Sequence, residues 1–218
     1  MDTFTSIEWL TQIATLVMFA AGIPPCWHMY KTGNTRGVPY YFFLLGGINN
    51  IMAVYYGILI NNSVILFLNI VGTVLNGMYS FTYIYVAHSK KSALFQLMLG
   101  AGWLIGLAYY LTVFVESPQT VTYQLGLILC LITTVLLTSP VFEILDCIKQ
   151  RSVADMSVAM LFGGLVCSAL WLFYGMLLGD FFIYAPNFPG VATGVGKLVL
   201  LVNYGGGEKT EKTSKKLN

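Results

Sequence analysis

The 218-residue chain is 57% hydrophobic and only 9% charged, with a mean hydropathy of +0.74, where a soluble domain carries about a quarter charged residues. Water is not its main solvent, and a net charge of +2 spread over small basic groups offers no nucleic-acid-binding face. The cysteines Cys26, Cys130, Cys147 and Cys167 lie in or beside apolar runs, without zinc-site or disulfide-framework spacing, and read as small core residues.

The N-terminal segment 1–8 has two acids and no basic n-region, so it does not read as a cleavable signal peptide and the first apolar run is expected to stay as a membrane span. Apolar stretches follow at 9–30, 40–60, 64–87, 93–115, 122–147, 157–178 and 181–204, each close to the roughly 20 residues that cross a bilayer. The joints KTGNTRG, NNS, HSKKS, ESPQT, KQRSVAD and GD are too short for a soluble domain, and the polar tail occupies 205–218. Runs this continuous exclude alternating barrel strands. The fold class is therefore an all-α membrane protein with seven transmembrane helices.

Ten of the eleven basic residues fall on one side of that topology: Lys31, Arg36, Lys90, Lys91, Lys149, Arg151, Lys209, Lys212, Lys215 and Lys216. The positive-inside rule then puts the C-terminus in the cytosol and the N-terminus outside or in a lumen. Trp9, Tyr30, Tyr85 and Tyr204 near span ends fit interfacial belts.

The chain also repeats itself. AVYYGILINN (53–62) matches WLFYGMLLGD (171–180), and Tyr56 and Tyr174 set an offset of 118 residues. Asn69 and Asn187, Gly72 and Gly190, and Lys31 and Lys149 keep that offset. The first repeat covers 9–87 and the second 122–204, with 93–115 as an unpaired linker helix. Three spans is an odd number, so the linker restores the orientation of the second copy and makes the repeats parallel, a 3+1+3 arrangement.

The motifs in order, GIPPCWHMYKTGNTRGVP, YYGILINN and NIVGTVLNGMY, then SPVFEILDCIKQRSV, WLFYGMLLGD and APNFPG, resemble the SWEET family over about 17–204. That family is built on such parallel repeats. The resemblance implies a bidirectional, ion-independent sugar uniporter working by alternating access on mono- and disaccharides, often as a homo-oligomer. It also implies a proline in the two lining helices of each repeat. The candidates are Pro24 or Pro25, Pro39 and Pro140, while Ser157 stands where the fourth is expected.

For binding, the resemblance points to Asn69, Asn187, Trp171 and Ala53. An amide donates and accepts hydrogen bonds without offering net charge to a small neutral sugar. The Trp171 ring could stack on the C–H face of a pyranose, and Ala53 would leave space. For the asparagines, the competing role is hydrogen bonding between helices; for Trp171 and Ala53 it is packing. A proline inside a span removes one hydrogen bond and kinks the helix, giving either a fixed shape or a hinge.

Lys197 is the basic residue deep in a span, read as a side chain reaching toward the cytosol. A receptor or retinal protein and an amino-acid carrier are the alternatives. The first is disfavoured by the repeat and by the lack of an Asp or Glu in the third span. The second lacks intramembrane charges at the candidate site. No catalytic, metal or cofactor constellation stands out, so enzyme activity is not expected. Beyond the sugar, the lipid bilayer is the expected partner, and the plasma membrane the first expected location, with the Golgi or another internal membrane as the alternative. Pro118-Gln119 reads as a loop coincidence, and Asn61 opens a glycosylation sequon beside two spans.

Overall fold

A computed structural model describes residues 2–35, 38–154 and 156–217, with side chains through 205. Arg36 and the side chains of Lys209, Lys212, Lys215 and Lys216, on which the orientation partly rests, lie outside the described residues. No strand occurs among the described residues. The helices are α1 (Thr3–Ala20), α2 (Ile23–Thr32), α3 (Tyr40–Leu59), α4 (Ser63–Val86), α5 (Lys90–Val113), α6 (Pro118–Thr138), α7 (Val141–Gln150), α8 (Val158–Leu178), α9 (Phe181–Tyr184) and α10 (Asn187–Leu217).

By length and composition these make seven candidate membrane spans: Thr3–Thr32, Tyr40–Leu59, Ser63–Val86, Lys90–Val113, Pro118–Gln150, Val158–Leu178 and Phe181–Gly205. The first helix begins at Thr3, six residues before the apolar run at 9–30. Asp2 explains the early start. Its carboxylate accepts the Thr5 backbone N–H at 2.9 Å, and the Thr5 hydroxyl and amide hold that carboxyl below its ordinary pKa. Helix α10 runs on from the seventh span to Leu217, through the segment 205–218 read as a tail.

Repeat symmetry reaches the backbone. Among the described residues, the four with positive φ form two pairs at the same offset of 118: Gly33 with Arg151, and Asn61 with Gly179. Each follows a helix, where a left-handed residue closes the final turn. At the ends of α3 and α8 the N–H of Asn62 reaches the Gly57 carbonyl at 2.9 Å, and that of Asp180 reaches Gly175 at 3.0 Å. Asn62 and Asp180 then cap the next helix, accepting from Ile65 N and Phe182 N at 2.9 Å each.

The first and fifth spans are broken. Proline cannot donate its backbone nitrogen to a preceding carbonyl, so a helix reaching it must end or bend. Pro24 and Pro25 occupy the first turn of α2 after Gly22, and Pro140 directly precedes α7. Gly22 and Pro140, themselves 118 apart, both hold right-handed helical dihedrals at the break. Carbonyls near the breaks are taken up by side chains. Tyr79 Oη donates to the Phe19 carbonyl at 2.9 Å, Thr193 Oγ1 to the repeat-equivalent Leu137 carbonyl at 3.4 Å, and Ser139 Oγ to Leu136 at 2.7 Å. Pro39 stands before α3 with extended dihedrals and interrupts no helix. Its counterpart Ser157 precedes α8 and accepts from the Met160 amide at 3.4 Å, a capping bond proline cannot supply. A further break, not expected from the continuous stretch 181–204, falls at Pro186 between α9 and α10.

Packing separates the chain into two compact units, Thr15–Ile132 and Met1–Ala14 with Thr133–Asn218. The cuts after Ala14 and Ile132 are 118 residues apart, so each falls at the same point of the first span of a repeat. In the first unit Met29, Phe43 and Tyr79 form a buried cluster below the α1–α2 break. In the second, Cys147, Val153, Met156, Leu161 and Leu200 do the same.

Candidate functional site

The glycines give the register of the second and third helices in each unit. A Cβ on Gly57 would lie 3.0 Å from Leu66 N, and one on Gly72 would lie 2.5 Å from Asn50 Nδ2. Antiparallel helices that pair 57 with 66 and 50 with 72 bring Ala53 abreast of Asn69. In the other unit, Gly175 would meet Tyr184 N at 2.7 Å and Gly190 would meet Ser168 Oγ at 2.6 Å, which brings Trp171 abreast of Asn187. The four candidate binding residues thus form two pairs, one in each unit.

Ala53 is buried, and Trp171 is half-buried and meets Tyr174 edge to face at 5.8 Å. Tyr174, 1% exposed, also packs against the tilted ring of Phe4 at 5.9 Å, so the indole stands against an aromatic wall. Asn69 Nδ2 donates to the Ile65 carbonyl at 2.7 Å, and Asn187 Nδ2 to the Ile183 carbonyl at 2.8 Å. These bonds run back four residues along the local chain rather than across to another helix. They fix the amide rotamer and leave Oδ1 without a hydrogen bond among the described residues. Asn187 is 7% exposed as a residue, and its unbonded Oδ1 is free to accept from a donor that reaches it.

Below Trp171 and Asn187 the second unit holds a pocket of about 90 Å³, lined among others by Pro140, Ser168, Gly190, Thr193 and Lys197. Gly190, Gly194 and Lys197 continue the α10 stripe that starts at Asn187, with steps of three or four residues. Lys197 does not end in a free charge. Its Nζ pairs with Glu143 Oε2 on α7, with side-chain exposures of 13% and 42%. The reading of Lys197 as a side chain reaching toward the cytosol does not include this partner. The partner follows Pro140 by three residues and lies 54 positions away, beyond any local helix pattern. In the first unit, Tyr79 occupies the equivalent position and makes its bond to a backbone carbonyl instead.

The sequence reading missed Glu143 as a partner, Tyr79 as a donor at the break, and the buried pair Asn50 and Ser168. The offset of 118, applied to every polar residue within a span, would have singled out the last pair.

A family model described as "Sugar efflux transporter for intercellular exchange" matches residues 5–91 and 123–209, two segments that are again 118 positions apart. Sugar transporter SWEET1 of Rattus norvegicus is 31% identical over 93% of this chain and 91% of its own length. SWEET1 of Danio rerio is 28% identical over 94% of both, and that of Homo sapiens 31% over 88% and 87%. The fold is similar to a eukaryotic SWEET transporter structure at 3.7 Å resolution, with a TM-score of 0.85 at 21% identity, covering 93% of this chain and 97% of that one. Seven apolar spans, two copies of one three-span pattern and a match to the family model across both copies lead to one conclusion: this chain is an integral membrane protein of the SWEET family.

Proposed function

We propose that the chain is a bidirectional sugar uniporter, moving a small neutral sugar by alternating access without coupling to an ion. The observation that carries this reading is the repeat-matched asparagine pair, each amide fixed by its own chain and each retaining an unbonded Oδ1. Asn69 and Asn187 accept from and donate to sugar hydroxyls, Trp171 stacks on the ring, and Ala53 leaves room on its side. Pro24, Pro25 and Pro140 lie at the helix breaks and act as hinges. Pro39, which precedes α3, sets the entry of that helix rather than bending within it.

The charge census supports an uncoupled carrier. Among the described residues, the intramembrane lysine is already paired with Glu143, and no carboxylate lies abreast of Asn69 or Asn187. Kinship to named sugar transporters favours a sugar over an amino acid and over the receptor reading. The distribution of basic residues supports a cytosolic C-terminus and an N-terminus outside or in a lumen; the plasma membrane is the location proposed, with the Golgi or another internal membrane as the alternative. Homo-oligomers are part of this proposal. The test is uptake of labelled D-glucose by proteoliposomes holding the purified protein. Equilibrative uptake, unchanged by sodium or pH gradients, is expected; concentrative uptake driven by either gradient would remove the uniporter.

A further inference from the structure

Asn50 and Ser168 are related by the repeat offset, and both are buried, at 8% and 6% exposure. Neither has a hydrogen-bond partner among the described residues. A serine in a helix ordinarily donates to the carbonyl four residues back, so a hydroxyl and an amide without such a bond keep their hydrogen-bonding capacity for another partner. Each lies against the glycine of its own Asn-x-x-Gly segment, with contact distances of 2.5 and 2.6 Å to a Cβ built there. The motif glycine therefore makes room for a polar side chain from the neighbouring helix.

The position of these groups is set by the same register. Asn50 precedes Ala53 and Ser168 precedes Trp171 by three residues, while Gly72 and Gly190 follow the binding asparagines by three. Both groups thus stand one helical turn, about 4.5 Å along the axis, from the proposed binding tier. In the second unit this is the pocket lined by Ser168, Gly190, Thr193 and Lys197. Its single cation is neutralised by Glu143, and the Thr193 hydroxyl already donates to Gly190 and Leu137. What remains to meet a ligand is the Ser168 hydroxyl, in a setting suited to an uncharged polyol.

We propose that Ser168, with Asn50 as its repeat counterpart, is a specificity-determining contact that hydrogen-bonds a sugar hydroxyl one turn beyond the asparagine tier. The inference rests on the sugar-uniporter reading. In repeat one the contact is an amide and in repeat two a hydroxyl, so the two units offer a sugar hydroxyl different chemistry. Removing one hydroxyl from the sugar, or the one facing it from the protein, then has the same consequence.

The experiment measures binding of D-glucose and its 2-, 3-, 4- and 6-deoxy analogues to the purified full chain and to Ser168→Ala, Asn50→Ala, Asn69→Ala and Asn187→Ala. Ser168→Ala is close to isosteric and keeps the helix. The unaltered protein should bind one deoxy analogue about ten-fold more weakly than glucose. Ser168→Ala should weaken glucose by a similar factor while leaving that analogue unchanged. Asn50→Ala should do the same for a different analogue. If Ser168→Ala weakens every analogue equally, or none, Ser168 serves only the fold and the inference is overturned. Loss of binding in Asn69→Ala and Asn187→Ala, with no analogue-selective change in Ser168→Ala and Asn50→Ala, would leave the uniporter site standing and remove this second tier. Failure of the unaltered protein to bind glucose or any analogue would overturn both.

Discussion

Replacing Gly175 by Ala tests whether the Tyr-Gly motif is a backbone contact. A Cβ there would lie 2.7 Å from Tyr184 N and 3.0 Å from Tyr184 Cα, where ordinary contact begins near 3.4 Å. The neighbour is main chain, so relief of about 0.7 Å must come from moving α9 against α8 rather than from turning a side chain. Overpacking of this kind costs ~1–3 kcal/mol, and a rigid neighbour favours the upper end. The Gly→Ala gain in helix propensity, about 0.5–1 kcal/mol, offsets part of it. Gly57 meets Leu66 N at 3.0 Å, a smaller shortfall, and Gly106 has nothing within 4 Å. Thermal unfolding in detergent, followed by loss of the monodisperse peak, should rank Gly106→Ala at or above the unaltered protein, Gly57→Ala slightly below it and Gly175→Ala lowest. Equal midpoints for Gly175→Ala and Gly106→Ala would refute the contact.

Three further outcomes follow from the same structure. Arg151 holds φ 49° at the position where the other repeat has Gly33, so Arg151→Gly should raise stability by about 1 kcal/mol, read as a higher unfolding midpoint. In the Lys197–Glu143 pair the lysine is the more buried partner. Glu143→Gln strands it and should therefore destabilise more than Lys197→Met, by ~1–3 kcal/mol, with the double variant recovering part of the loss; equal effects of the two single changes would contradict the burial argument. Tyr79→Phe removes the donor to the Phe19 carbonyl at the break and should cost about 1 kcal/mol, while an unchanged midpoint would mean that the carbonyl finds another partner.

Much of the fold was legible because hydropathy and period are local properties. Spans at 40–60 and 157–178 coincide with Tyr40–Leu59 and Val158–Leu178 to within a residue. The offset of 118 read from Tyr56 and Tyr174 recurs in helix caps, left-handed residues and breaks. What stayed hidden depends on tertiary pairing. Glu143 finds Lys197 only after Pro140 redirects the chain, and Ser157 reads as a lost proline until its capping bond is seen. The Gly22 break was obscured by Pro24 and Pro25, which draw attention two residues too late although they belong to the first turn of the new helix. At the candidate site the residue types were readable. The register placing Ala53 beside Asn69 and Trp171 beside Asn187 needed the glycine contacts.

Binding of labelled D-glucose to the purified, monodisperse protein, measured for the unaltered chain, Asn69→Ala and Asn187→Ala at matched unfolding midpoints, tests the central claim most directly. Among the described residues each amide bonds to its own local carbonyl, so folding should change by about 1 kcal/mol or less. Leaving sugar hydroxyls unpaired costs about 1–3 kcal/mol, and affinity should fall roughly ten- to hundred-fold in each variant. Unaltered glucose affinity in both, with folding intact, would contradict the account.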